Sequence, residues 1–231
     1  MIVALKRNHA MNLPSLDVLI VEDHPLYMDG LRQIVSGLAD AVEIHEAVSG
    51  KAALQKVEQF PFLDWIFLDL QLPDFSGVEL LTRFKDMMIT APVLVVSSVD
   101  DIAVLDRLLS LGASGFLPKS ATHEDFRIAL SSIESNGLYL PAEQNEQLRE
   151  YRQVVKNRTQ FLRSNLTARQ QEILFLMSQG YSNGEISTSL SISESTVKGH
   201  VSALFSLFDA DNRTHCVAEA HRLGIQEWVN S

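Results

Sequence analysis

The stretch FLDLQLPDF, Phe67 to Phe75, follows DWI and completes an apolar run from Trp65 to Leu70 that a single carboxylate, Asp69, interrupts. Such a run, rich in Ile, Phe and Leu with turn residues close behind it, predicts a strand buried on both faces. An ionised carboxylate near the end of that strand is costly to bury unless a cation, a metal or an opening to water compensates it. A strand-end Asp can also simply cap the loop that follows. What other segments bring to the same place decides between the two.

Working outward, residues 16 to 136 alternate short apolar runs with amphipathic stretches. The runs are LDVLIV (16–21), VEIHEAV (42–48), DWIFLDL (64–70), PVLVVSS (92–98) and GFLPK (115–119). Helical patterns lie between and after them at Leu26 to Leu38, Gly50 to Gln59, Gly77 to Met88, Ile102 to Leu111 and His123 to Ser135. Strands that alternate with helices imply an α/β fold, a five-stranded parallel sheet with helices on both faces. Ligands of such sheets bind at the carboxyl ends of the strands. There the first strand ends in Glu22 and Asp23, the third in Asp69, the fourth in Ser97 and Ser98, and the fifth in Lys119. Three clustered carboxylates repel one another unless a cation sits among them, and their hard oxygens suit Mg²⁺. Lys119 adds a compact positive charge for a further anionic group. A phosphoryl group on Asp69, paired with Lys119, accounts for every member of the set.

These residues resemble the receiver domain of bacterial two-component response regulators. The resemblance is carried by VEDHP (21–25), FLDLQLPDFSG (67–77), VVSS (95–98) and LGASGFLPKS (111–120), four segments in order at strand ends. It implies a doubly wound, flavodoxin-like sheet of order 2-1-3-4-5 over residues 15–136. It also implies that Asp69 accepts a phosphoryl group from a histidine kinase. Glu22, Asp23, Asp69 and the backbone carbonyl of Gln71 would then surround Mg²⁺, Ser97 would hydrogen-bond the phosphoryl oxygens, and Lys119 would bridge to them. Phe116, where many relatives carry Tyr, would rotate into the space that Ser97 vacates; plain core packing is the other reading.

The chain has 231 residues and 46% hydrophobic residues, enough for ordinary cores in one large or two small domains. Its one cysteine, Cys216, cannot form an intrachain disulfide, which fits a reducing compartment. The first residues, MIVALKRNHAMNLPS, lack a long apolar segment, and a cytoplasmic protein without membrane association is expected. Met11 serves as well as Met1 for a start. The net charge of −10 divides into −9 for residues 1–140, +2 for 141–164 and −3 for 165–231. Composition alone gives no basic footprint for nucleic acid.

Residues 137–164 are polar and charge-mixed, with Leu148, Tyr151, Val155 and Leu162 spaced for one helical stripe. A solvated, partly helical linker and a dimer or docking helix are the two readings. Beyond them, Thr167 to Gln170 and Ser182 to Glu185 are capping boxes, and Ser193 is the N-cap expected for a further helix from Glu194 to about Phe208. Its inner face is Val197, Val201, Leu204, Phe205 and Phe208. A last helix from about Thr214 to Leu223 closes a small all-α unit, residues 165–231. Two short helices joined by the SIS turn make helix-turn-helix geometry, which small bundles also use for other purposes.

The segment from Leu166 to Phe205, followed by NRT at 212–214, resembles the LuxR-type DNA-binding domain. Paired with a receiver, it is similar to the NarL/FixJ class of response regulators. The resemblance implies double-stranded DNA as a partner, with the Glu194 helix in the major groove. Lys198 would contact a base edge or phosphate, and Ser195 and Thr196 would contact phosphates. Gly199 and Ser202 occupy the face where relatives carry longer base-reading side chains. Relatives often carry Lys at the position of Ser206; this loss and the acidic balance imply weak binding by a monomer and a homodimer when phosphorylated. Two other functions compete: a protein-binding or antagonist role for the helical unit, and an aspartyl-nucleophile phosphatase. The second usually needs an acid where Gln71 stands.

Overall fold

The computed structural model describes residues 15–225, so the choice between Met1 and Met11 lies outside the described residues. The chain divides into two compact units between Arg149 and Glu150. In the first, β1 (Leu16–Val21), β2 (Val42–Ala47), β3 (Trp65–Leu68), β4 (Val93–Ser97) and β5 (Gly115–Pro118) form one sheet. All its pairings are parallel, and the order is β2-β1-β3-β4-β5. Helices α1 (Pro25–Ser36), α2 (Gly50–Gln59), α3 (Gly77–Asp86), α4 (Ile102–Leu111) and α5 (His123–Asn136) connect and follow the strands.

Strand alternation sorts the core into two layers. Leu19 and Val21 of β1 join Ile66 and Leu68 of β3 on the face covered by α2, α3 and α4, which contribute Val57, Leu80, Phe84 and Leu108. Val18, Ile20 and Phe67 point to the other face, against Met28 and Leu31 of α1 and Phe126 and Leu130 of α5. Every residue of β3 and β4 is buried, as a central strand requires, whereas edge strand β2 alternates. The other edge is partly covered. Phe116 N donates to Tyr139 O, and Tyr139 N donates to Ser114 O, at 3.1 and 2.9 Å. Residue 139, expected in the linker, thus lies against the sheet.

Helix starts follow the local chemistry. Ser76 with Glu79 and Thr122 with Asp125 form capping boxes for α3 and α5, and Ser49 and Asp101 cap α2 and α4. Helix α1 starts at Pro25 rather than Leu26, because the fixed φ of proline suits the first helical position. Helix α3 ends at Asp86, two residues before the expected Met88, because Met88 takes a left-handed conformation with φ 56°.

In the second unit, α6 (Ala142–Asn165) continues from the first and buries Leu162 among α7 (Ala168–Ser178), α8 (Asn183–Leu190), α9 (Glu194–Phe208) and α10 (Arg213–Arg222). Val155 packs on the same core, and Tyr151 accepts a hydrogen bond from Arg222 at 3.2 Å. The C-terminal half of α6 is therefore part of the helical bundle rather than a solvated connector. Helix α10 begins one residue earlier than expected because the Asn212 side chain caps it by accepting from His215 N. Among the described residues no helix is long and apolar enough to cross a membrane.

Met88 combines left-handed backbone with 82% exposure, so its side chain gains little from burial. Met88→Gly should therefore stabilise the sheet-containing unit by about 1 kcal/mol, read as a higher urea midpoint for its unfolding in the full chain. An unchanged or lower midpoint would show that Met88 contributes packing that offsets the strain.

Candidate functional site

Asp69 stands one residue past β3 and is only 2% exposed. Its N–H donates to Val21 O at 2.9 Å, and its Oδ1 accepts from Leu70 N at 2.7 Å. Its other oxygen, Oδ2, accepts from Lys119 Nζ at 2.9 Å, and the same ammonium lies 2.7 Å from Glu22 Oε2. Glu22, just past β1, is 1% exposed. Burial alone would lower the Lys119 pKa, but its close contacts with the Glu22 and Asp69 carboxylates and their negative charges outweigh it, and the pKa is raised. Lys119 thus stays an ammonium over the physiological range.

Glu22, Asp23, His24 and Asp69 bring one ligand atom each within 4.8 Å of one another. His24 Nδ1 lies 3.0 Å from Glu22 Oε1 and 2.9 Å from Asp23 Oδ1. Glu22 Oε2 and Asp23 Oδ1 are buried, and each has a cationic or imidazole nitrogen nearby, yet neither receives an aligned hydrogen bond. Three grouped carboxylates that share a single ammonium keep a net negative charge on buried oxygens, and that donor set fits a hard divalent cation such as Mg²⁺.

Around this cluster lies a cavity of about 360 Å³ lined by His24, Leu26, Tyr27, Gln71, Ser98 and Lys119. Ser98 Oγ donates to the Gln71 side-chain oxygen at 3.2 Å across its mouth. Ser97 is fully buried at the end of β4, where its Oγ accepts from Val99 N at 3.3 Å and has no hydrogen bond to Asp69. Phe116 is buried in the core layer of α2, α3 and α4. The structure therefore brings Glu22, Asp23, Asp69 and Lys119 together, puts Gln71 beside them, and leaves Ser97 and Phe116 engaged elsewhere. Gly77 sets the loop between. A Cβ there would come within 2.7 Å of the Leu70 backbone, so only glycine lets the start of α3 sit this close to the segment after Asp69.

Three residues of the cavity, His24, Leu26 and Tyr27, were not expected from sequence, and Leu26 reads only as the start of the first helix. His24 sits next to Asp23 but reads as a helix entry, and Tyr27 reads as an aromatic on the inner face of α1. Tyr27 is half-buried and packs on that core layer, yet its ring also covers Lys119 Nζ at 4.6 Å.

In the helical unit, Ser191 takes a left-handed conformation that ends α8, and Ile192 N donates back to Ser187 O at 3.0 Å. Ser193 then caps α9 by accepting from Thr196 N at 3.1 Å, and its Oγ lies 2.8 and 2.7 Å from the hydroxyls of Ser195 and Thr196. Val197, Val201, Leu204 and Phe208 face the core. That leaves Ser195, Thr196, Lys198, Gly199 and Ser202 exposed, and a Cβ at Gly199 would meet open space. Phe205, expected on the inner face, is only partly buried. The Lys198 ammonium is 3.0 Å from the carboxylate of Glu194, one turn earlier. Cys216 is fully buried and burial pushes its thiol up to about 11, which makes it a core residue rather than a thiolate.

The response regulator receiver domain family matches residues 18–131, and the family of bacterial regulatory proteins of the luxR type matches residues 164–220. The transcriptional regulatory protein DegU of Brevibacillus brevis is 31% identical over 240 residues, covering 96% of this chain and 98% of its own. The response regulator VraR of Staphylococcus aureus is 31% identical over 207 residues, covering 89% and 96%. Among solved structures, RcsB of Salmonella typhimurium has a TM-score of 0.57 at 18% identity, covering 89% of this chain and 99% of that one. A complex of RcsB with DNA has a TM-score of 0.53 at 18% identity, covering 90% and 98%. At these identities RcsB supports the fold, while DegU and VraR extend the kinship over nearly the whole length. The chain belongs to the NarL/FixJ class of two-component response regulators, transcription regulators that join a receiver domain to a LuxR-type DNA-binding domain.

Proposed function

We propose that this response regulator is switched by phosphorylation of Asp69 and that the switch controls a DNA-binding homodimer. The observation that carries the reading is the buried Asp69 carboxylate held by Lys119 beside Glu22 and Asp23, three carboxylates grouped around one ammonium. An Asp69 oxygen attacks the phosphorus of a kinase phosphohistidine. The P–N bond breaks, the imidazole leaves with the electron pair and takes up a proton, and an acyl phosphate remains. Glu22, Asp23 and Asp69, with the Gln71 carbonyl, would hold Mg²⁺, which when bound neutralises charge on the phosphoryl oxygens. Lys119 supplies a fixed positive charge to the same oxygens. Ser97 would exchange its Val99 contact for a phosphoryl oxygen, and Phe116 would move into the space released. Any hydrolysis of the acyl phosphate is confined to the protein itself.

The working division is a receiver at 15–136, a largely helical linker at 137–164 whose C-terminal half packs on the helical bundle, and a DNA-binding domain from 165 onward. Helix α9 enters the major groove with Lys198, Ser195 and Thr196 at bases or phosphates and Gly199 and Ser202 allowing close approach. RcsB has been solved as dimers bound to DNA, which supports a dimer on DNA in the present case. The acidic balance of the helical unit and the Glu194–Lys198 pair favour a second reading, a protein-binding role for this unit. Failure to bind DNA from the region upstream of its own gene, in the phosphorylated state, would select that second reading.

Treatment with acetyl phosphate and Mg²⁺ should add one phosphoryl group by intact mass, shift the protein to a dimer by sizing and tighten DNA binding. Asp69→Asn should abolish all three effects. Dimerisation or tighter binding that survives in Asp69→Asn would contradict the proposal. On the DNA side, Lys198→Ala should weaken binding on the order of tenfold, measured by fluorescence anisotropy. Glu194→Gln should strengthen binding to nonspecific duplex by about two- to fivefold at low salt, since it frees Lys198 from a surface ion pair. If neither substitution changes affinity, α9 is not the reading helix.

A further inference from the structure

Lys119 is held from three sides. Two partners are the carboxylates of Glu22 and Asp69, at 2.7 and 2.9 Å. The third is Tyr27, in the first turn of α1, whose ring centroid is 4.6 Å from the ammonium. A cation at that distance over an aromatic face is attracted by the negative π cloud. The same tyrosine also reaches the backbone of its partner, because its hydroxyl donates to Lys119 O at 3.3 Å. On the opposite side of that residue, Lys119 N donates to Ser97 O at 3.0 Å. Burial and the charges of Glu22 and Asp69 push the Tyr27 phenol up to about 12, so the ring remains neutral and its hydroxyl remains a donor.

Lysine carries its charge on a flexible, strongly hydrated stem, and two neighbouring carboxylates do not by themselves select one rotamer. An aromatic face on a third side removes water and closes off alternative positions. A leucine or methionine in the same place would fill the volume without attracting the cation. Tyr27 also lines one cavity with Lys119, Gln71 and Ser98, beside the ammonium that pairs with Asp69, so the ring is next to the space that a phosphoryl group would enter.

We propose that Tyr27 is a positioning residue for phosphoryl transfer: its ring face holds the Lys119 ammonium at the mouth of the Asp69 pocket. The inference rests on the proposed acceptor role of Asp69. Tyr27 touches no reacting atom and acts through Lys119. Its ring supplies the effect, and its hydroxyl secures the turn that bears the lysine.

The test compares wild type, Tyr27→Phe and Tyr27→Leu in the full chain, with acetyl phosphate as donor and Mg²⁺ varied. Wild type and Tyr27→Phe should show the ε-methylene protons of Lys119 shifted upfield by the ring current in ¹H–¹³C spectra, and Tyr27→Leu should lose the shift. The phosphorylation rate should fall about tenfold in Tyr27→Leu and stay within about threefold of wild type in Tyr27→Phe, as the loss of a partly desolvated cation–π contact predicts. The Mg²⁺ concentration for half-maximal rate should not move, because Tyr27 is not among the carboxylates. A wild-type rate in Tyr27→Leu would overturn the proposal. So would equal losses in both variants, or a loss accompanied by weaker Mg²⁺ dependence and a lower melting temperature. If wild type takes up no phosphoryl group, the role of Asp69 fails instead, and the ring-current shift still decides whether Tyr27 holds Lys119.

Discussion

The Lys119 ammonium, shared between Glu22 and Asp69 at the carboxyl edge of the sheet, is the contact on which the receiver unit depends. Its three residues lie past three different strands, and they meet only because all five strands run the same way. Removing one partner of a buried pair leaves an uncompensated charge, at a typical cost of about 3–5 kcal/mol, whereas apolar packing of the same volume is often as stable as the pair. Stability alone therefore gives little reason to keep a charged cluster here. The proposed function does, since one ammonium among Glu22, Asp23 and Asp69 leaves a net negative centre that would attract a cation and respond when charge moves outward onto a phosphoryl group.

The helical unit works with a small supply of positive charge. Helix α9 exposes hydroxyls and a glycine where a basic surface is common, and its one lysine already has a carboxylate partner. Weak attraction to phosphates lowers nonspecific binding as well as specific binding. A regulator built in this way gains from pairing two copies on one DNA, because contacts that are too few in one copy double in a symmetric dimer. Under the proposed switch, a low resting affinity and a phosphorylation-driven dimer would be two sides of one design.

Much of this was legible in the chain. Asp69 marked itself by interrupting an apolar run, and the positions of Glu22, Asp23 and Lys119 followed from the parallel strand order. Helix starts in the second unit were legible from the capping boxes at Thr167 and Ser182, and the structure adds the same device at Ser76 and Thr122. The missed features depend on contacts between distant residues. Tyr27 at helical spacing reads as core, and only the fold shows that its outer part lies over a lysine 92 positions away. His24 reads as the entry to α1, and its approach to Glu22 and Asp23 depends on how the loop turns. Met88 carries no sequence mark of a left-handed residue, and Tyr139 none of an edge-covering one.

The central claim is that Asp69 itself becomes an acyl phosphate. Borohydride reduction of the phosphorylated protein, followed by peptide mass mapping, tests it directly, because an aspartyl phosphate is converted to homoserine at the modified position. The account predicts homoserine at residue 69 and at no other carboxylate. Homoserine at Asp23 or another aspartate, 5-hydroxynorvaline at Glu22 or another glutamate, or a phosphoryl adduct that yields no reduced residue, would contradict it.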